Sequence, residues 1–155
     1  MKRKRLPYTS SSTAINGYRD SEIAKKENSD CVVRAIASAS GMTYDKSHKW
    51  VADKFNRKNK KGTYGFAPGM NGMNTNNLRL NRKTVNTIPY NNLTTNNGKS
   101  RMTVGTFIKE YNKGTYILRV TSHAFTIKDG VVIGNYEDAT KIKRVVKNAW
   151  RIGKS

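Results

Sequence analysis

The only cysteine of the chain and a histidine far downstream are of the types that carry out nucleophilic chemistry. Cys31 lies in the run Asn-Ser-Asp-Cys-Val-Val-Arg-Ala-Ile-Ala, residues 28–37, where a helix is predicted to begin. Unpaired N–H groups and the helix dipole stabilise a thiolate at such a position. His123 follows a β-patterned run, and Asn135 lies twelve residues beyond it. A thiol, an imidazole that takes its proton and an amide that orients the imidazole are the parts of a cysteine-nucleophile site.

The element that must present the thiol is a helix predicted over residues 25–41. Asp30 or Ser29 is a suitable N-cap, and Val33 and Ile36 begin an apolar stripe at helical spacing. Small side chains on the same helix would allow it to pack closely on a neighbouring sheet. The sequence therefore predicts a buried central helix with the cysteine in its first turn.

The elements that must present the imidazole lie in the last third of the chain. Asp129-Gly130 between two β-patterned runs is a strong hairpin signal, and it would bring Asn135 back towards His123. Helices first and strands afterwards predict an α+β domain, with the central helix packed on a C-terminal antiparallel sheet. The other predicted elements are helices over 44–57 and 103–111 and strands over 116–121, 124–127, 131–133 and 144–152.

Composition divides the chain into a basic, flexible N-terminal arm, residues 1–22, and one domain, residues 23–155. The domain contains an Asn- and Gly-rich loop at about 63–97. One cysteine excludes an internal disulfide, and Cys31 with His48 and His123 does not make a structural zinc site. His48 is expected at the surface. No metal or cofactor motif is found, and no apolar run is long enough to suggest a membrane span.

Charge is the strongest compositional feature, at +20 from 30 basic and 10 acidic residues. No carboxylate occurs from Lys54 to Lys109, and none follows Asp138. Such a field attracts polyanions, so the sequence suggests DNA, RNA or an acidic protein as a partner. The alternative is a highly soluble surface without a dedicated partner, which would have the same composition. The residues expected to contact a polyanion are Lys2, Arg3, Lys4, Arg5, Arg57, Lys58, Lys60 and Lys61.

Several short motifs together resemble a family of small papain-like cysteine peptidase domains that is common among bacteriophage and bacterial proteins of unassigned role. The resemblance covers about residues 27–152. It implies a papain-like fold with Cys31 as nucleophile, His123 as general base and Asn135 as the group that orients the base. The matching motifs are Asp30-Cys31-Val32-Val33-Arg34-Ala35, Thr43-Tyr44, Lys61-Gly62-Thr63, Gly114-Thr115-Tyr116-Ile117-Leu118-Arg119-Val120, Ser122-His123-Ala124, Asp129-Gly130-Val131-Val132 and Ala149-Trp150-Arg151-Ile152.

Two parts of the site stay open at this level. Papain-type enzymes carry a glutamine shortly before the nucleophile to bind the oxyanion, whereas the residue six positions before Cys31 is Lys25. Asn28 is the alternative amide donor, together with the Cys31 backbone N–H. Asp138 is an alternative to Asn135 for orienting the imidazole, and the site could also lack such a group. Arg34 is either an anchor for a carboxylate such as Asp30 or a positive charge that favours the thiolate.

The sequence thus favours a cysteine hydrolase, a peptidase or isopeptidase with a protein or peptide substrate. The main alternative is a catalytically idle papain-fold protein, structural or internal to a virion, that binds nucleic acid or an acidic partner. An acyltransferase or transglutaminase would use the same three groups, and a lone cysteine on such a helix can also be a buried structural thiol. The expected location is the host cytoplasm or a packaged virion. The oligomeric state is not predicted.

Overall fold

A seven-stranded sheet forms the centre of the fold, in a computed structural model that describes residues 5–63, 73, 78–95 and 98–153. Its strands are β1 (Tyr8–Ser10), β2 (Arg79–Leu80), β3 (Lys83–Thr87), β6 (Thr115–Val120), β7 (His123–Lys128), β8 (Val131–Gly134) and β9 (Asn148–Gly153). Their order is β1-β8-β7-β6-β9-β3-β2. Every pairing is antiparallel except that of β1 with β8. Two short strands, β4 (Thr94–Thr95) and β5 (Ser100–Arg101), pair separately.

Six α-helices accompany the sheet in the described ranges. They are α1 (Ser11–Ala14), α2 (Glu22–Lys25), α3 (Cys31–Ser40), α4 (Tyr44–Phe55), α5 (Val104–Glu110) and α6 (Tyr136–Thr140). A 3₁₀ turn covers Tyr90–Leu93. The α+β class predicted from the sequence is confirmed. Within the described residues, no helix is long and apolar enough to cross a membrane.

Helices cover both faces of the sheet. Successive residues of a strand point to opposite faces, so each strand contributes to two separate cores. Ile117 of β6 packs with α3 and α4, whereas its neighbour Leu118 belongs to a second core that includes α5. The Thr126 hydroxyl of β7 donates a 2.7 Å hydrogen bond to the Ala35 carbonyl of α3. The central helix is therefore fixed directly against the strand that begins at His123.

The turn between β7 and β8 has the geometry that its sequence predicts. Asp129 and Gly130 both have positive φ, at 48° and 80°, as the commonest tight hairpin turns require. The resulting register pairs Thr126 with Ile133. Strand β8 ends at Gly134, one residue before the predicted site residue Asn135.

The N-terminal segment differs from the flexible arm expected over residues 1–22. Tyr8–Ser10 adds a strand to the sheet edge beside β8, and α1 follows it directly. The Leu6 amide donates to the Ala139 carbonyl, and Ile15 is buried in the core. These partners lie more than 120 residues away in sequence or on other elements, so the local polar composition did not indicate them.

The helix predicted over residues 25–41 is two helices in the structure. Helix α2 ends at Lys25 and α3 begins at Cys31, with Ser29 at a positive φ of 51° between them. Part of the expected loop at 63–97 is also regular, because β2 and β3 form a hairpin there. Residues 64–72, 74–77 and 96–97 of that loop lie outside the described residues.

Candidate active site

An open cleft of about 450 Å³ lies where the beginning of α3 meets the beginning of β7. Its walls come from five separate parts of the chain. The lining residues are Ser11, Ser29, Asp30, Cys31, Arg34, Ala35, Gly62, Ser122, His123, Ala124, Phe125, Ile133, Gly134, Asn135 and Asp138. The predicted nucleophile and the predicted base thus share one solvent-accessible cavity.

Cys31 is the first residue of α3, and its side chain is half-buried at the cleft wall. The first N–H groups of a helix have no partner within it, so the Cys31 amide is free of the helical hydrogen-bond pattern. Asp30 occupies the N-cap position, but its side chain does not cap the helix. Its Oδ2 instead accepts hydrogen bonds from Arg34 Nε (3.2 Å) and Tyr44 Oη (2.7 Å).

His123 lies between the thiol and a buried carboxylate. The Cys31 side chain is close enough to the imidazole to raise its pKa, and Asp138 Oδ1 lies 2.8 Å from Nε2. The Nε2–H direction is not aligned with that oxygen closely enough for a hydrogen bond, so the contact is best described as an ion pair. Because Nε2 faces Asp138, the nitrogen left for the sulfur is Nδ1.

The surroundings of His123 favour its charged form. Burial alone lowers the pKa of the imidazole, but the contacts with Asp138 and then with Cys31 outweigh it and raise the pKa from 6.5 to about 9. For Asp138, burial raises the pKa and the His123 contact lowers it, with a net lowering to which Arg144 also contributes. An imidazolium–carboxylate pair at neutral pH follows from these two directions.

Asp138 is held from three sides. Its Oδ2 accepts the Asn135 N–H at 2.9 Å, and Arg144 Nη2 lies 3.1 Å from Oδ1, the same oxygen that faces His123. The side chain is 1 % exposed. Gly134 makes room for it, because a Cβ at that position would overlap the carboxylate and lie 3.3 Å from Phe125 Cβ. The ring of Phe125 in turn stacks on His123 with centroids 5.9 Å apart.

Asn135, the orienting residue that the sequence favoured, has another role in the structure. Its side-chain oxygen accepts the Asp138 N–H at 3.0 Å and caps α6. The two residues thereby form a reciprocal capping box. Asn135 is exposed at the cleft wall, while the carboxylate against His123 belongs to Asp138. The geometry favours Asp138 as the residue that orients His123, the alternative that the sequence left open. The three-residue spacing of Asn135 and Asp138 is typical of a capping box, and this was the sequence signal that Asn135 begins a helix.

Arg34 has the first of its two predicted roles, because it anchors the Asp30 carboxylate. Besides Asp30, its guanidinium reaches the hydroxyls of Ser11 (3.2 Å), Ser12 (3.4 Å) and Tyr18. One side chain therefore holds the N-terminal segment against the helix that carries Cys31. Ser11, which lines the cleft, is kept in place by this contact.

A buried carboxylate fixes the loop before Cys31. Glu27 accepts hydrogen bonds from Arg57 Nη1 (2.8 Å) and the Lys60 backbone N–H (2.7 Å), and it contacts His48 Nε2. Burial raises the pKa of Glu27, but the hydrogen bonds with Arg57, His48 and the Lys60 amide lower it by more. The net pKa is about 2, below the ordinary value of 4.5. Arg57 is only 5 % exposed, so it is not part of a polyanion-contacting surface. His48 is likewise buried, contrary to the expected surface position.

The remaining predicted residues lie apart from the thiol or outside the described ranges. Asn28 is exposed, and its carbonyl accepts from Arg57 Nη2 at 3.1 Å; the cleft is lined instead by the next two residues. Lys58, Lys60 and Lys61 are exposed on the loop that leads to Gly62. Arg5 is exposed on the N-terminal segment. Lys2, Arg3 and Lys4 lie outside the described residues.

No group of three or more His, Cys, Asp or Glu side chains that could hold a metal ion is found among the described residues. Comparisons of the chain with known protein families, with curated proteins and with solved structures found no match. Arguments about function therefore rest on the cleft itself.

Proposed function

We propose that the chain is a papain-like cysteine hydrolase, a peptidase or isopeptidase, in which Cys31 is the nucleophile, His123 the general base and Asp138 the orienting acid. One observation carries the proposal: a half-buried thiol at a helix start shares a cleft with an imidazole whose pKa it raises, and that imidazole is paired with a buried, ionised carboxylate. Nucleophile, base and orienter within contact distance define this kind of site, whatever their order in the chain.

The proposed reaction proceeds in two halves. In the first, the Cys31 thiolate attacks the substrate carbonyl, and the His123 imidazolium gives its proton to the departing amine, leaving an acyl thioester. In the second, neutral His123 takes a proton from water, the resulting hydroxide equivalent attacks the thioester, and the acid product leaves as the proton returns to the site. Asp138 stays ionised throughout and stabilises the imidazolium.

The oxyanion that forms in each half would lie beside the start of α3. The Cys31 backbone N–H is a suitable donor because no residue of the helix accepts from it there. Asn28 was the expected second donor, but its position outside the cleft lining favours another group. Ser29 and Ser122 both line the cavity and are the candidates for this second donor.

The first test measures the reactivity of Cys31 across pH. We expect iodoacetamide to alkylate Cys31 well below about pH 8.5, where an ordinary thiol is mostly protonated. In His123→Ala the alkylation rate should follow the ordinary thiol profile, because the imidazole no longer stabilises the thiolate. Glu137→Gln, which removes an exposed carboxylate beside Asp138, is the matched control and should keep the wild-type profile. An ordinary profile in the wild-type protein would overturn the proposal.

The second test asks for the reaction itself. A proteome-derived peptide library incubated with the protein should acquire new N-termini, detected by mass spectrometry, and Cys31→Ala should produce none. Dipeptides joined through a lysine side chain are added to the same mixture as a second substrate. Their cleavage would indicate isopeptidase chemistry, and cleavage of the library alone would indicate peptidase chemistry. New termini that also form with Cys31→Ala would assign the cleavage to another activity and contradict the proposed nucleophile.

A second candidate function is a binding protein of a phage particle that contacts nucleic acid. The observation that favours it is the excess of 20 positive charges, with exposed lysines near the cleft. We expect such binding to weaken steeply with salt, since each neutralised phosphate releases counterions. A titration of a double-stranded oligonucleotide that shows no binding at low salt would exclude this function, whatever the result with Cys31.

A further inference from the structure

The loop at residues 57–62 combines a buried anchor with an exposed cationic tip. Arg57 is buried against Glu27, and the Lys60 backbone N–H donates to the same carboxylate. The Lys61 amide closes a turn by donating to the Lys58 carbonyl at 3.1 Å. The lysine side chains of this turn are exposed, and they extend from a backbone that these contacts hold in place.

This loop is part of the cleft rim. Gly62 lines the same cavity as Cys31 and His123, and open space lies where its Cβ would be. Glu27 ties the loop to residues 27–30, which lead directly into the nucleophile. One buried contact therefore joins the backbone of the lysine loop to the segment that precedes the thiol.

The side-chain ammonium groups of Lys58, Lys60 and Lys61 form no ion pair in the described part of the chain, which includes all ten Asp and Glu residues. The two carboxylates that line the cleft are themselves engaged. Asp30 is paired with Arg34, and Asp138 with His123 and Arg144. The uncompensated charge on the loop that leads to the cleft is therefore positive.

We propose that the site acts on polypeptides that carry acidic residues beside the reacting bond, and that Lys58, Lys60 and Lys61 bind those residues. The inference rests on the proposed hydrolase function and names its substrate class. A polypeptide fits better than a nucleic acid because the loop that carries the lysines borders, through Gly62, a cleft whose thiol requires an acyl carbon, which a phosphodiester lacks. Three flexible ammonium groups near one rim would raise the encounter rate of an anionic chain.

The test compares three cysteine-directed peptidyl acyloxymethyl ketones that differ only in two residues, both Glu, both Gln or both Lys. The second-order rate of Cys31 labelling is followed by intact mass. At low ionic strength we expect the Glu probe to react roughly tenfold faster than the Lys probe, with the Gln probe between them. In about 1 M salt, where the Debye length is about 3 Å, the three rates should converge.

Two triple variants separate the rim from the general charge of the protein. Lys58→Gln, Lys60→Gln and Lys61→Gln together should abolish the preference for the Glu probe. The control removes three exposed lysines that neither belong to this loop nor line the cleft, with Lys109→Gln, Lys113→Gln and Lys128→Gln, and should keep it. Equal rates for the Glu and Lys probes, or a preference that survives in the rim variant, would overturn the substrate class.

The proposed function and this inference fail in different ways. If labelling depends on His123 but not on probe charge, the hydrolase site stands and the acidic substrate class is wrong. If no probe reacts and iodoacetamide alkylation is independent of His123, both are wrong. A short oligonucleotide that blocks the neutral probe, with no preference for the Glu probe, would assign the lysine rim to nucleic acid instead.

Discussion

The contact between Asp138 and His123 predicts a large, measurable change in the titration of one histidine. Asp138→Asn keeps the size of the side chain but removes the charge that opposes burial of the imidazolium. We expect the His123 midpoint, about 9 in the wild-type protein, to fall by about 1–3 pH units, the usual effect of an adjacent opposite charge. The Cys31 contact remains and limits the fall.

The same contact makes stability depend on pH. The pKa of His123 rises from 6.5 to about 9 on folding, which corresponds to about 3 kcal/mol at about 1.4 kcal/mol per pH unit. A raised pKa means that the folded state binds the proton more tightly. The stabilisation is therefore complete below pH 6.5 and is lost as pH rises through 9. Asp138→Asn should reduce this loss.

The assay is an NMR titration of the imidazole carbons, together with urea unfolding at two pH values. The chain has two histidines, so the His123 signal is assigned by its absence from His123→Ala. Glu137→Gln is the matched control, because it removes an exposed neighbouring carboxylate paired with Lys141. A wild-type midpoint near 6.5, or one that Asp138→Asn leaves unchanged, would refute the ion pair as the cause.

Three further changes have defined outcomes. Gly134→Ala should lower the His123 midpoint in the same NMR titration without removing any charge, because the new Cβ displaces Asp138; an unchanged midpoint would contradict this close packing. Glu27→Gln should destabilise the fold by about 3–5 kcal/mol in urea unfolding, since it leaves the Arg57 guanidinium buried without its partner; a loss under about 1 kcal/mol would count against this network. Gly62→Phe should leave stability within about 0.5 kcal/mol but slow a peptidyl probe more than iodoacetamide, because the ring would enter the cleft mouth; equal slowing of both reagents would place Gly62 away from the substrate path.

Features encoded by short sequence patterns were predictable. Helix α4, helix α5 and the Asp129-Gly130 turn lie within two residues of where the sequence predicts them, and Thr43 and Thr103 cap the two helices. These elements depend on side chains within a few residues of one another. The α+β class follows from their order along the chain.

Features that depend on distant partners could not be predicted. Glu27 meets Arg57 across 30 residues, and β1 pairs with a strand near residue 132, so neither sequence neighbourhood reveals the contact. The identity of the acid beside His123 depended on whether the chain after Gly134 continued as a strand or turned into a helix. In the observed register a continued strand would have set Asn135 opposite Ala124 and not opposite His123, whereas the turn into α6 brings in Asp138.

The cleft draws its walls from Ser11, Cys31, Gly62, His123 and Asp138, which are spread over most of the chain. During synthesis the thiol leaves the ribosome long before the imidazole and its acid exist. A nascent chain therefore carries an unassisted cysteine until residue 138 has emerged and the last strands have closed over the central helix. Under the proposed function, the thiol becomes an activated nucleophile only after folding. The ribosome and neighbouring nascent chains are therefore not exposed to an active hydrolase during synthesis.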